Sequence, residues 1–322
     1  MRALAAALLL AGCAAGGPLA PAPGAEATLA PAAERLPSPS GEALALSVWA
    51  PEGAPRAAIL ALHGFGDYAP LTFDAAARDW AARGFAVYAY DQRGFGRNAS
   101  RGRWPGAEGL VADAKAVAAA LKARAPQTPL FLLGHSMGGG VALAAAGDGA
   151  AVDGLILAAP AVWGGDRLSP IYRAAAWGGA LLFPDKRWTG EGVVRIQASD
   201  NIEALRALGR DPLYLGRPSS REFMGLVRLM DRAVAAAPLV ATPTLTLYGE
   251  KDEVTPQETV TAAHDAIPAE KRLILYPEGW HLLFRDLQAE AVWRDVGDWI
   301  EARLPAPSDA VVAGDADAKD PT

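Results

Sequence analysis

The run Leu130-Phe131-Leu132-Leu133-Gly134-His135-Ser136-Met137-Gly138-Gly139-Gly140 constrains this chain more than any other stretch. Four apolar residues lead into Gly-Xaa-Ser-Xaa-Gly, the pattern of a buried strand that turns sharply into a helix with a serine at the turn. The serine backbone in such an elbow is strained, and side chains at the flanking positions would collide with the neighbouring strand and helix. Only glycine serves at Gly134 and Gly138. The turn presents the Ser136 hydroxyl above the sheet and sets the Met137 N–H at a helix start, where it can donate to a developing oxyanion. Glycine-rich turns also serve plain packing, so a nucleophilic reading of Ser136 depends on partners elsewhere in the chain.

The flanking sequence repeats a strand and helix pattern. Glu42 to Trp49 alternates like a half-exposed strand, and Ala57 to Leu62 is an apolar strand. Leu71 to Arg83 has helical spacing and stops at Gly84, Phe85 to Tyr90 is a strand, and Glu108 to Arg124 is an alanine-rich helix ended by Pro126. After the elbow, a helix to about Gly147 and an apolar run Gly154 to Pro160 continue the series. The expected fold class is α/β, a mostly parallel sheet covered by helices on both faces.

Between Ala161 and Val240 the pattern changes to helical pieces broken by Gly and Pro, with Trp163, Trp177, Leu181, Leu182, Phe183, Trp188, Met224, Leu226 and Met230 scattered through them. This reads as an inserted helical cap whose apolar bulk lines a pocket for a hydrocarbon chain. Thr244 to Tyr248 and Leu273 to Tyr276 resume the strands, and an amphipathic helix is expected from about Leu283 to Leu304. The domain organisation is then a core of residues 38–160 and 241–304, a cap of 161–240 and a polar, disordered tail of 305–322.

A serine hydroxyl is a poor nucleophile at neutral pH. It needs an imidazole to take its proton and a carboxylate to hold that imidazole in one tautomer. Of the four histidines, His135 adjoins Ser136 on a tight turn and points away from it, His264 lies in a surface helix, and His63 suits a structural role at a strand end. His281 remains, in a glycine-containing loop after the last strand. Asp252 follows the preceding strand in Gly249-Glu250-Lys251-Asp252-Glu253; Asp67, Asp91 and Glu250 are the alternative acids. The glycines of His63-Gly64-Phe65-Gly66-Asp67 let backbone approach a ligand, making the Phe65 N–H a second oxyanion donor beside Met137. Asp91 to Asn98 carries a charged pair in a glycine-containing loop, read as a structural ion pair beneath the active-site face, with a binding role as the alternative.

The amino terminus carries a separate message. Met1 to Gly12 has one arginine and then an apolar run from Ala3 to Ala11, the layout of a secretory signal and too short to span a bilayer. Leu10-Ala11-Gly12-Cys13 resembles the lipobox of bacterial lipoproteins, which implies a signal peptide of residues 1–12, lipidation of Cys13 and membrane anchoring by several acyl chains. Residues 13–37, rich in Ala, Pro and Gly, read as a flexible tether. Ala14 after the cysteine, rather than an aspartate, fits the outer membrane of a cell with two membranes, on the periplasmic face. Cys13 is the one cysteine in 322 residues, so no internal disulfide or cysteine zinc site is expected, and no metal or other cofactor. A net charge of −6 without a basic cluster argues against a nucleic-acid partner.

These motifs together resemble the monoacylglycerol lipase and lysophospholipase branch of the α/β-hydrolases, also grouped as serine aminopeptidase-like. The marks are His63-Gly64-Phe65-Gly66-Asp67, Asp91-Gln92-Arg93-Gly94-Phe95-Gly96, Gly134-His135-Ser136-Met137-Gly138-Gly139, Asp211-Pro212-Leu213, Gly249-Glu250-Lys251-Asp252 and His281-Leu282-Leu283. The resemblance implies Ser136 as nucleophile, Asp252 as acid, His281 as base, and Phe65 and Met137 as backbone oxyanion donors. It implies a serine hydrolase acting on a small acyl ester of lipid type. The rival readings are an amidase or aminopeptidase on the same triad, and a non-catalytic lipoprotein binding lipid or a partner. The family often has Gly-Glu-His and Arg-Gly-His-Gly where this chain has Gly66-Asp67-Tyr68 and Arg93-Gly94-Phe95-Gly96.

Overall fold

The computed structural model describes residues 35–188 and 196–305; the signal segment, Cys13, the tether as far as residue 34 and residues 306–322 lie outside them. Among the described residues, eight strands, β1 (Arg35–Pro37), β2 (Ala43–Trp49), β3 (Ala57–Leu62), β4 (Phe85–Tyr90), β5 (Leu130–His135), β6 (Gly154–Ala158), β7 (Thr244–Gly249) and β8 (Lys271–Tyr276), form one sheet in the order β1-β2-β4-β3-β5-β6-β7-β8. β2 runs antiparallel to β1 and β4, and the strands from β4 to β8 are mutually parallel.

Parallel strands covered on both faces read as unbroken apolar runs, because alternate side chains feed two different cores. Leu60, Leu62, Leu130, Leu132, Leu155 and Leu157 enter one, with Leu110 and Val117 of α2 (Ala107–Arg124), Val141 of α3 (Met137–Gly147) and Val260 of α7 (Gln257–Ala266). Ile59, Ala61, Phe131, Leu133 and Ile156 enter the other, with Phe73 and Trp80 of α1 (Ala69–Ala82) and Val292 and Trp299 of α8 (Ala289–Glu301). Each large side chain buried this way contributes about 1.5–3 kcal/mol.

The helices end where the sequence says they should. α2 opens with Glu108 and closes with Lys122 and Arg124, charges that oppose the helix dipole, and Pro126 keeps Ala125 out of helical conformation. α1 begins with Pro70 in its first turn, and Gly84 follows at φ +88°, a left-handed stop.

Between β6 and β7 lie α4 (Pro170–Leu182), α5 (Ile202–Arg210) and α6 (Ser220–Ala236). α6 starts with a reciprocal capping box, Ser219 accepting from the Glu222 N–H and Glu222 from the Ser219 N–H. It lies against α3 so closely that a Cβ on Gly147 would come within 2.6 Å of the Ala236 carbonyl oxygen.

Four expectations need correction. Residues 35–37, assigned to the tether, pair with Ala43–Ala45 as edge strand β1. The last helix begins at Ala289 rather than Leu283, because Leu282 to Gln288 is drawn into turns around Asp286. His264 lies on α7 with its side chain buried, Nδ1 3.0 Å from the Thr246 hydroxyl, because that helix face packs on β7. Trp177, Leu181, Leu182 and Phe183 of the cap face solvent instead of lining an enclosed pocket; Trp163, Met224 and Met230 gather with Leu168, Ala176 and Val227 in a small apolar cluster of the cap.

Candidate active site

Ser136 has φ 52° and ψ −118°, a conformation held because its N–H donates to Ala158 O (2.9 Å) and its carbonyl accepts from Ala161 N–H (2.8 Å). One bond goes to the last residue of β6 and the other to the segment just after it, so the strain is held against the sheet. A Cβ on Gly134 would overlap the Gly138 carbonyl, and one on Gly138 would overlap that of Leu62. The two glycines are therefore a consequence of the approach of α3 to the strand ends.

Asp252 and His281 reach Ser136 on the loops after β7 and β8. These loops touch at Gly249 and Gly279, where the Lys251 N–H donates to Gly279 O at 2.9 Å. Asp252 Oδ1 accepts from the N–H groups of Val254 (2.7 Å) and Thr255 (3.0 Å), which aims Oδ2 at His281 Nδ1, 2.8 Å away. His281 Nε2 lies 2.9 Å from Ser136 Oγ. The Asp252 carboxylate is fully buried and accepts only, so Nδ1 carries the proton and Nε2 is left to accept from the serine hydroxyl.

The loop after β3 lies alongside. A Cβ on Gly64 would stand 3.3 Å from Ser136 Cβ, which brings the Gly64 backbone beside Ser136. His63 holds this loop: its Nδ1–H donates to Gly64 O (2.8 Å), its Nε2 accepts from Gln92 N–H (2.8 Å), and Gln92 Nε2 donates to His63 O (2.7 Å). Burial pushes the His63 imidazole below its ordinary range, so it stays neutral and structural. Phe65 packs edge-on against Phe95, ring centroids 5.2 Å apart, and beside Trp104. Such a constellation can pass a proton from the Ser136 hydroxyl to His281 Nε2.

The other candidates are engaged elsewhere. His135 donates its Nε2–H to the His281 carbonyl (2.9 Å), and burial, with His281 nearby, pushes its pKa down to about 3. Asp91 is buried with Arg97, Nε to Oδ2 2.7 Å, and accepts from Ala69 N–H, while Arg93 pairs with Asp113. The loop therefore holds two ion pairs. Asp67 accepts from Arg285 (2.7 Å) and the Thr72 hydroxyl (3.0 Å). Glu250 is exposed.

Asp286 is the residue the sequence reading missed. It accepts from Trp280 N–H (2.8 Å) and from the Ser199 hydroxyl of the cap (2.6 Å), and it braces the loop that carries His281. Burial pushes its pKa up to about 6. Nothing in the sequence marks it, since one acid among several in a turn acquires meaning only when Ser199, 87 positions away, arrives beside it.

The family model described as serine aminopeptidase, S33 matches residues 53–288. The chain is similar to the monoacylglycerol lipase of Mycolicibacterium smegmatis, 30% identical over 277 residues covering 82% of this chain and 95% of that protein. It is also similar to the monoglyceride lipase of Mus musculus, 25% identical over 273 residues, covering 83% of this chain and 89% of the relative. In fold it matches the crystal structure of a soluble variant of monoglyceride lipase from Saccharomyces cerevisiae in complex with a substrate analog. There the TM-score is 0.71 at 21% identity, covering 83% of this chain and 94% of that one.

Proposed function

The chain belongs to the serine aminopeptidase, S33 family of α/β-hydrolases, and on that premise we propose that it cleaves lipid-type carboxylic esters, monoacylglycerol- or lysophospholipid-like, through an acyl-enzyme on Ser136. It is a carboxylic ester hydrolase. The observation that carries the reading is His281 standing between Ser136 Oγ at 2.9 Å and Asp252 Oδ2 at 2.8 Å, beside the Gly64 backbone. Ser136 Oγ attacks the ester carbonyl carbon as His281 Nε2 takes its proton, and Asp252 stabilises the resulting imidazolium. The oxyanion accepts from the Phe65 and Met137 N–H groups. Collapse breaks the ester C–O bond, and the alcohol leaves with the proton from His281. Water, deprotonated by the same nitrogen, then attacks the acyl carbon and releases the acid and Ser136.

The lipid preference is supported by the cap. Ile171 (67% exposed), Trp177 (58%) and Leu182 (68%) stand with Leu181 and Phe183 on or just after α4, an apolar surface suited to lipid. The deciding experiment compares the folded domain with Ser136→Ala on p-nitrophenyl esters and monoacylglycerols of rising chain length. We expect hydrolysis by the first and none above background by the variant; full activity in Ser136→Ala sinks the mechanism, and faster cleavage of aminoacyl amides than of esters sinks the substrate class.

The lipobox-like Leu10-Ala11-Gly12-Cys13 supports anchoring of the exported protein through lipidated Cys13 at the periplasmic face of an outer membrane. Radiolabelled palmitate should enter the wild type and not Cys13→Ala, and equal labelling of both removes this part of the proposal.

A further inference from the structure

Two features of the sequence take no part in the chemistry above: Tyr68, where the family often has histidine, and the Asp211-Pro212-Leu213 motif of the cap. They meet in the structure. Tyr68 Oη donates to Asp211 Oδ2 at 2.7 Å, and Asp211 Oδ1 accepts from Leu213 N–H at 2.8 Å, folding the motif into a tight turn. Burial and the neighbouring Asp211 push the Tyr68 phenol well above its ordinary range, so it remains a donor. Arg101 donates to Pro212 O (2.5 Å) and Leu213 O (3.3 Å) from the core side.

The segment so held runs on to the loop beside Ser136. Leu215 N–H donates to Gly66 O at 2.8 Å, and a Cβ on Gly66, whose φ is +79°, would stand 2.7 Å from Leu215 O. Leu213 and Leu215 are both buried, Leu215 within the core cluster beneath the sheet's helices. Gly66 follows Phe65 directly, and a Cβ on Gly64 would stand 3.3 Å from Ser136 Cβ, so the bond from Leu215 ties down the loop one residue beyond Phe65.

We propose that residues 211–215 form a strap by which the cap sets the oxyanion loop, with Asp211, through Tyr68, as a positioning residue that keeps the Phe65 N–H aimed above Ser136. This rests on the esterase reading given above. Docking of the strap orients a donor that matters most when the carbonyl oxygen has become an anion, so its effect belongs to the transition state rather than to substrate binding.

The test compares wild type, Tyr68→Phe, Asp211→Ala and the double variant in kcat, KM, thermal midpoint, affinity for an alkylboronic acid and rate of fluorophosphonate labelling. The boronate forms a tetrahedral adduct on the serine and reads the oxyanion site. Loss of a whole oxyanion donor costs on the order of 10²–10³ in kcat, and a donor merely misaimed should cost about tenfold. We expect that fall in kcat in Tyr68→Phe, KM within twofold, boronate affinity and labelling rate falling in parallel, and a double variant no worse than the poorer single one. Unchanged kcat, a rise in KM alone, boronate affinity untouched while kcat falls, or additive losses in the double variant each overturn the proposal. Tyr68→Phe keeps the ring in its buried site, so a folding failure confined to Asp211→Ala leaves the comparison intact. A wild type that is labelled at Ser136 but cleaves no ester refutes the esterase reading alone, since labelling rates still read the strap; a folded wild type that is not labelled at all overturns both.

Discussion

Asp252 is held by three donors, the N–H groups of Val254 and Thr255 and the Nδ1–H of His281. Asp252→Asn would keep the two loop bonds while turning an NH2 towards His281 Nδ1, which favours the wrong imidazole tautomer. The expected result is a fall in kcat of about 10⁴ with little change in thermal midpoint, read by ester hydrolysis and a melt. The remaining histidines matter to stability instead. His63, His135 and His264 are all held neutral by burial, with folded pKa values below the ordinary 6.5. As pH falls below about 6.5 the unfolded chain takes up protons that the folded chain refuses, so stability present at neutral pH is lost progressively towards about pH 3, where His135 titrates. Asp286 acts with the opposite sign between 3.8 and about 6, where the folded form holds the proton more tightly. Urea unfolding at pH 7, 5.5 and 4.5 should show falling stability, and His135→Asn should flatten the curve by up to about 1.4 kcal/mol per pH unit. Parallel curves for the two proteins would refute this account of His135.

At the scale of elements, α3 is a helix without an exposed face. Sheet, α2 and α6 enclose it, and its small residues Gly138, Gly139 and Gly140 each meet foreign backbone: a Cβ on Gly139 would stand 2.8 Å from Pro160 Cα, and one on Gly140 2.9 Å from Ala161 O. Helix propensity alone favours alanine at these positions by about 1 kcal/mol, and close packing reverses the sign. Gly138→Ala should destabilise by about 1–3 kcal/mol and abolish fluorophosphonate labelling, since the helix start must back away from β3. Gly178→Ala in α4, where an added Cβ meets nothing within 4 Å, should leave activity unchanged and raise stability by about 0.5–1 kcal/mol. Chemical denaturation of both variants checks the contrast, and equal destabilisation would remove the packing argument.

Over the whole molecule, cap and core meet around the site rather than at one hinge. Ser199 and Ala198 bond to the His281 loop, Leu215 bonds to the loop of Phe65, and α6 lies on Trp104. Trp104 stands beside Phe65, so the cap reaches both sides of Ser136. Gly225 of α6 leaves room for the Trp104 indole, which an added Cβ would overlap. Gly225→Ala should therefore lift α6, lower stability by about 1–3 kcal/mol and expose the cap to limited proteolysis before the core is cut. Simultaneous cleavage of cap and core would show that the two do not separate.

What the sequence determined by itself was whatever depends on short stretches of chain. Apolar runs such as Ala57 to Leu62 and Phe85 to Tyr90 became strands at the expected bounds, because a covered parallel sheet asks only for continuous hydrophobicity. The elbow glycines were legible because close backbone approach tolerates nothing larger. The chain order of Ser136, Asp252 and His281 was legible too, Ser136 directly after β5 and the other two in the loops that follow β7 and β8. Tertiary structure decided which polar residue meets which. Asp286 with Ser199, Asp67 with Arg285 and Tyr68 with Asp211 are separated by 87, 218 and 143 positions, and a carboxylate destined for such a bond carries the same local signature as one facing water. It also decided that Leu282 to Gln288 serves the site as turns instead of extending α8, that His264 faces inward, and that the apolar side of α4 faces outward. Periodicity shows that a face is apolar, and only packing shows whether anything in the chain covers it.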